Sequence, residues 1–123
     1  MANEREGYYT RGYHGTDIVT AYKILETGFD RERGELCLAP PDGIFFAEEH
    51  GQKSARRQGT PEFAVLEATF AEVPLREGLR GGECIRLFGD EIDGTAIVSM
   101  IIYLEKEKQK LRHVSFDPPL SRQ

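Results

Sequence analysis

Along residues 62–75, EFAVLEATFAEVPL, apolar and polar positions alternate, with Ala64, Leu66, Ala68 and Phe70 on one face. That two-residue period predicts a strand with one side buried. A different period governs residues 18–25, where Ile18, Ala21, Tyr22 and Leu25 recur at spacings of three and four and give a helix one apolar stripe. Asp17 stands at the N-cap of that helix, its carboxylate placed to accept from the first-turn amides, and Gly28 supplies the C-terminal stop. Ahead of it, GYYTRGY at 7–13 reads as a strand containing two glycines.

The remaining segments complete the order. Residues 30–42 read as a loop with one short strand at ELCLA, and GIFFA at 43–47 reads as a short strand opening on Gly43. EEHGQKSARR at 48–57 predicts a helix with acids in its first turn and arginines in its last, matching the helix dipole at both ends. REGLRGG at 76–82 is a glycine-rich turn. ECIRLF at 83–88, IVSMIIYLE at 97–105 and KLRHVSF at 110–116 are further strands, and DPPLSRQ is irregular. Strand–helix, strand–helix, then a run of strands predicts an α+β fold with a mainly antiparallel, packed sheet. Residues 1–6 read as a polar, disordered start, 7–118 as one domain and 119–123 as a tail, with no internal repeat.

Composition narrows the classes. With 123 residues, 39% hydrophobic and 30% charged, the chain has the makeup of a globular domain that buries a core without staples. A formal charge of −5 and a pI near 5.2 leave no overall footprint for nucleic acid or anionic membrane, and KSARR at 53–57 is the main basic run. The longest apolar segment, AIVSMIIYL, is too short for a membrane span, and no hydrophobic leader follows Met1, so the expectation is a cytoplasmic or nuclear protein without membrane contact. Cys37 and Cys84 are too far apart in sequence for a zinc site of the CxxC kind, and their plainest reading is a pair of buried thiols, with a disulfide between them open. His14, His50 and His113 are widely spaced, and no metal is expected.

Dinucleotide fingerprints, phosphate loops and G-x-S-x-G elbows are missing from the sequence. What remains is Tyr13-His14-Gly15-Thr16 at a strand–helix junction, Ile24-Leu25-Glu26-Thr27-Gly28-Phe29 closing the helix, Gly43-Ile44-Phe45-Phe46-Ala47, then Lys53-Ser54-Ala55-Arg56-Arg57. In this order and spacing the blocks resemble the poly(ADP-ribose) polymerase-like, diphtheria-toxin-type branch of the ADP-ribosyltransferases, closely over residues 8–70 and loosely beyond. The resemblance implies two packed, mainly antiparallel sheets forming an NAD cleft with one or two short helices. It also implies cleavage of the nicotinamide glycosidic bond of NAD, which is consumed as a substrate.

By the same resemblance, His14 hydrogen-bonds the adenosine ribose, the main chain of Gly15 and the hydroxyl of Ser54 hold the nicotinamide carboxamide, and Phe45 stacks on the nicotinamide ring. Thr16 completes the first block. Arg57 replaces a second sandwiching tyrosine and is able to stack by its guanidinium or bind the pyrophosphate. The catalytic glutamate is expected to open a strand after a target-contacting loop, which Glu83 in GGECIRLF does. A second alignment puts Thr95 there, with Glu91 and Asp93 standing in from the loop. The shortness of the chain favours transfer of a single ADP-ribose, to a protein in preference to a small molecule or nucleic acid. A catalytically inactive module binding NAD, ADP-ribose or a protein, an RNA 2′-phosphotransferase-like relative, and a rifampin-modifying relative remain alternatives.

Each residue also has a plain structural role open to it. His14 alone is an ordinary strand-end histidine, Phe45 and Phe46 are core residues of a buried strand, Ser54 a helix-surface hydroxyl and Glu83 a polar strand start. The functional expectation rests on the constellation.

Overall fold

β3, Glu62–Pro74, is the spine of the molecule, and both of its faces are covered. The computed structural model describes residues 8–77 and 83–121. Around β3 lie β1 (Tyr8–Asp17), α1 (Ile18–Thr27), β2 (Leu36–Leu38), α2 (Ile44–Gln58), β4 (Arg76–Glu77), β5 (Glu83–Leu87), α3 (Asp90–Asp93), β6 (Ala96–Leu104) and β7 (Gln109–Ser121). The main sheet runs β1-β3-β6-β7 and a smaller one β2-β5-β4, and every pairing in both is antiparallel. The architecture is a compact α+β fold with few helices. No helix among the described residues is long and apolar enough to cross a membrane.

β3 departs from the one-sided strand expected of it. Ala64, Leu66 and Ala68 are fully buried in a core shared with α1 and the small sheet, while Phe63 and Val65 are fully buried on the opposite face. That second face is closed by α2, through Ala47 and Ala55. Burying a side chain of the size of Phe63 or Leu66 stabilises by about 1.5–3 kcal/mol, so covering both faces roughly doubles what the strand contributes.

α1 forms as its capping predicts. Asp17 accepts from the amide of Thr20 at 3.1 Å and from its hydroxyl at 2.8 Å, and the amide of Gly28 closes the last turn on the carbonyl of Ile24 at 2.7 Å. Its buried residues are Ala21 and Ile24, whereas Tyr22 is 49% exposed.

GIFFA is not a strand. Pro41–Gly43 form a single 3-10 turn that feeds directly into α2 at Ile44, so one helix replaces the expected strand and shorter helix. The two phenylalanines do not drive this; Phe45 and Phe46 are 71% and 75% exposed. The face that packs consists of Ala47, Gly51, Ser54 and Ala55, small residues at helical spacing. At the far end, β7 continues through Asp117-Pro118-Pro119 to Ser121, where an irregular end was expected, and Leu120 pairs with Ile97. The prolines are tolerated because they fall at a register shift of this edge strand, between the Ile97–Leu120 and Ser99–Ser115 pairs, where the ladder is already interrupted.

Candidate functional site

The two sheets meet at an isolated bridge between Tyr13 and Ala39. The amide of Tyr13 donates to the carbonyl of Ala39 at 2.8 Å, and the amide of Ala39 returns a bond to Tyr13 at 2.7 Å. In an antiparallel ladder successive residues turn their polar groups to alternate sides. Tyr13 faces Ala39, so His14 faces β3, opposite Leu66, and Gly15 again points its amide and carbonyl toward the outer edge. Cys37 would be Gly15's partner if the bridge extended, but the pairing of β1 with this segment is confined to Tyr13 and Ala39, and the ladder of β2 is with β5.

His14 lies next to this bridge. Its ring meets Phe29 edge-on, with centroids 5.4 Å apart and planes at 86°, and stands 6.2 Å from the ring of His50 on α2. Phe29, at the end of the α1 block, is buried and fixes one side of the histidine. Thr16 is buried one turn of the pleat further on; its hydroxyl reaches the Asp17 cap at 3.4 Å.

Gly15 has a second reason to be glycine. An ideal Cβ there would stand 1.6 Å from the carbonyl oxygen of Ala47, and one on Gly51 would stand 2.7 Å from the Phe63 ring. α2 therefore crosses β1 and β3 at backbone contact, which only a helix face of glycine, alanine and serine allows. Ser54 is on that face, 7% exposed, and its hydroxyl accepts from Arg57 at 3.2 Å. Phe45, one turn before Glu48 and Glu49, lies on the outer surface of the helix. The structure thus packs Ala47 and Gly51 of α2 against Gly15 and Thr16 of β1, with Ser54 and Arg57 one to two turns further along that helix. It leaves Phe45 in solvent at the start of that helix.

Glu83 opens β5, opposite Glu77 of β4, and its side chain lies outside the described part of the structure. β5 is joined to β2 by the Leu38–Ile85 pair, and β2 to β1 by the bridge. One strand separates the Glu83 strand from the His14 strand. The other candidates for the third position are engaged elsewhere. Glu91 takes a two-pronged ion pair from Arg76, at 2.8 and 3.1 Å, and accepts from the Phe88 amide at 3.0 Å. The Arg76 guanidinium holds its carboxyl below the ordinary glutamate range. Asp93 pairs with Arg31 at 2.8 Å, and the buried Thr95 hydroxyl donates to the Ile92 carbonyl at 2.8 Å.

A further polar group was not anticipated. On the α2 side of the main sheet, the Glu67 carboxylate accepts from Ser99 at 2.9 Å and from the Tyr13 hydroxyl at 3.5 Å, with Arg11 at 3.4 Å. Nearby, Tyr103 donates to Glu48 of α2 at 3.3 Å. Burial, and then Glu48, push the Tyr103 hydroxyl up to about 12; burial, and then Glu67, raise that of Tyr13. Both phenols stay neutral donors to carboxylates at physiological pH. The only trace of this group in the sequence is polar residues at odd-numbered positions of three strands, which mean nothing until the register aligns them. Tyr13 therefore serves two places, its main chain at the bridge and its side chain on the sheet face beneath α2.

Compared with protein-family models, with curated proteins and with solved structures, the chain matches none.

Proposed function

We propose that this chain is an NAD-dependent mono-ADP-ribosyltransferase built on an ADP-ribosyltransferase-like fold. The observation that carries it is the placement of Tyr13-His14-Gly15-Thr16 at the end of β1, just past the bridge that joins the two sheets. That bridge stops at Tyr13, so the amide and carbonyl of Gly15 turn outward beyond it, while β2 lies between the Tyr13-His14-Gly15-Thr16 strand and the strand opened by Glu83. Main-chain groups presented in this way match the donor–acceptor pair of a carboxamide. His14, held by Phe29, would take the adenosine ribose, and Phe45 and Arg57 would act from α2 on the nicotinamide ring and the pyrophosphate.

In the reaction, the bond between nicotinamide nitrogen and ribose C1′ breaks, and its electron pair neutralises the pyridinium. The ribose carries the resulting positive charge until an acceptor nucleophile bonds to C1′ and loses its proton. Glu83 would orient the ribose and oppose that charge, the kind of electrostatic contribution worth about 10²–10³ in rate. A protein acceptor is favoured, selected by the segments 30–42 and 76–82, of which 78–82 lie outside the described residues.

A specific observation favours a second form, a module that binds nucleotide without turning it over. Gly15 is required by its contact with Ala47, and the Ser54 hydroxyl already holds Arg57, so both residues have structural duties without a ligand. Incubation with NAD, measuring free nicotinamide and labelled acceptor, together with calorimetry, separates the two. Transfer requires nicotinamide release that falls about 100-fold or more in Glu83→Gln. Saturable binding with no release identifies the module. Neither binding nor release rejects both.

A further inference from the structure

Cys37 of β2 and Cys84 of β5 lie on neighbouring antiparallel strands, on the face of the small sheet turned away from the core. Leu36, Leu38, Ile85 and Leu87 are the buried side of these two strands, and strand alternation puts both cysteines, with Glu35 and Arg86, on the other. Cys37 is paired with Arg86, so Cys84, two residues earlier on β5, is its diagonal neighbour. The two side chains converge: Cys84 Sγ donates to Cys37 Sγ at 3.2 Å, and both residues are half-buried free thiols. Beside them the Arg86–Glu35 ion pair ties the same two strands together.

We propose that Cys37 and Cys84 form a redox-modification site, a dithiol that a peroxide converts into a disulfide joining β2 to β5. A disulfide needs its sulfurs at about 2.05 Å, so they must approach by about 1 Å, which side-chain rotation supplies without separating the strands. Cys37 accepts the hydrogen bond and is the sulfur that meets the oxidant. It attacks one peroxide oxygen, the O–O bond breaks, and water leaves with formation of a sulfenic acid at Cys37. The Cys84 sulfur then attacks Cys37, the S–O bond breaks, and the Cys84 proton leaves with the hydroxyl as a second water. One peroxide is reduced to two waters as two thiols become one disulfide. Burial raises the Cys84 thiol to about 12, which keeps it protonated and passive until Cys37 has reacted. The site stands apart from the proposed transfer reaction and does not depend on it.

The test is mass spectrometry of the whole folded chain after treatment with one equivalent of hydrogen peroxide, with remaining thiols alkylated in denaturant. The expected result is loss of both thiols together, a mass decrease of two hydrogens, a fragment linking Cys37 to Cys84, and full reversal by dithiothreitol. In Cys84→Ser, Cys37 should stop at the sulfenic acid and be trapped by dimedone. In Cys37→Ser, Cys84 should remain alkylatable. The unfolded wild-type chain in urea, where the two residues are separated only by 47 positions of flexible chain, should cross-link about tenfold or more slowly. Independent oxidation of the two cysteines in the wild type, disulfides only between chains, or equal rates folded and unfolded would each overturn the proposal.

Discussion

Gly15 of β1 and Ala47 of α2 are in backbone contact: a Cβ on the glycine would stand 1.6 Å from the alanine's carbonyl oxygen. That overlap cannot be relieved by rotating a side chain, because both partners are main chain. Gly15→Ala should destabilise the fold by about 3 kcal/mol or more, at the upper end of overpacking costs. Chemical denaturation checks it, and a variant within about 0.5 kcal/mol of wild type would mean that α2 does not sit where it is described.

Phe45 separates binding from stability. At 71% exposure it contributes little to the core, so Phe45→Ala should leave the melting temperature nearly unchanged. If it stacks on nicotinamide, the same variant should weaken NAD binding by about 3- to 10-fold, the worth of one aromatic contact. Calorimetry with NAD and a thermal melt on the same sample read both quantities.

The Arg76–Glu91 pair predicts an acid-sensitive contribution. The folded carboxyl sits below its ordinary range because Arg76 binds the charged form, so the unfolded chain takes up the proton first as pH falls. The contribution is present above the ordinary glutamate range and disappears as pH drops through the lowered folded value. Glu91→Gln should cost about 1 kcal/mol at pH 7, appropriate to a partly exposed two-pronged pair, and the difference from wild type should vanish in acid. Urea titrations at several pH values test it.

Tyr103 predicts the opposite limb. Its hydroxyl titrates near 10.0 when unfolded and at about 12 when folded, so the folded chain holds the proton longer. Its contribution is complete below the unfolded value and is lost as pH rises from there to the folded one. Wild type should therefore lose on the order of 2 kcal/mol relative to Tyr103→Phe across that interval. At neutral pH the variant should be weaker by about 1 kcal/mol, for the lost bond to Glu48.

Local chemistry was legible in the sequence and tertiary chemistry was not. Asp17 and Gly28 mark the ends of α1 because capping involves neighbours within four residues, and the α+β class follows from the order of helical and strand segments along the chain. GIFFA misled because its phenylalanines suggested burial, whereas the buried signal in α2 is carried by Ala47, Gly51, Ser54 and Ala55. Small residues carry little weight on a hydrophobicity scale, yet they permit the closest packing. Tyr22 and Ile24 exchanged roles on α1 for a related reason, since a helix stripe of this width admits more than one register. Of the site, the placement of His14, Gly15 and Thr16 at a strand–helix junction was readable. The Tyr13–Ala39 bridge beside them, the Glu67–Ser99 contact and the meeting of Cys37 with Cys84 join residues on different strands, and only the register creates them.

The glycine–alanine contact also determines how the layers are spaced. With no side chain between them, α2 and β1 are separated by main-chain contact alone. The small sheet joins them differently, by the pair of hydrogen bonds between Tyr13 and Ala39, beyond which Pro40 and Pro41 have no amide with which to lengthen the ladder, and by Leu36, Leu38, Ile85 and Leu87, which are buried in the same core as Leu66. Main-chain contact thus sets the distance of α2 from β1, whereas apolar side-chain volume sets that of the small sheet, the layer that carries Glu83.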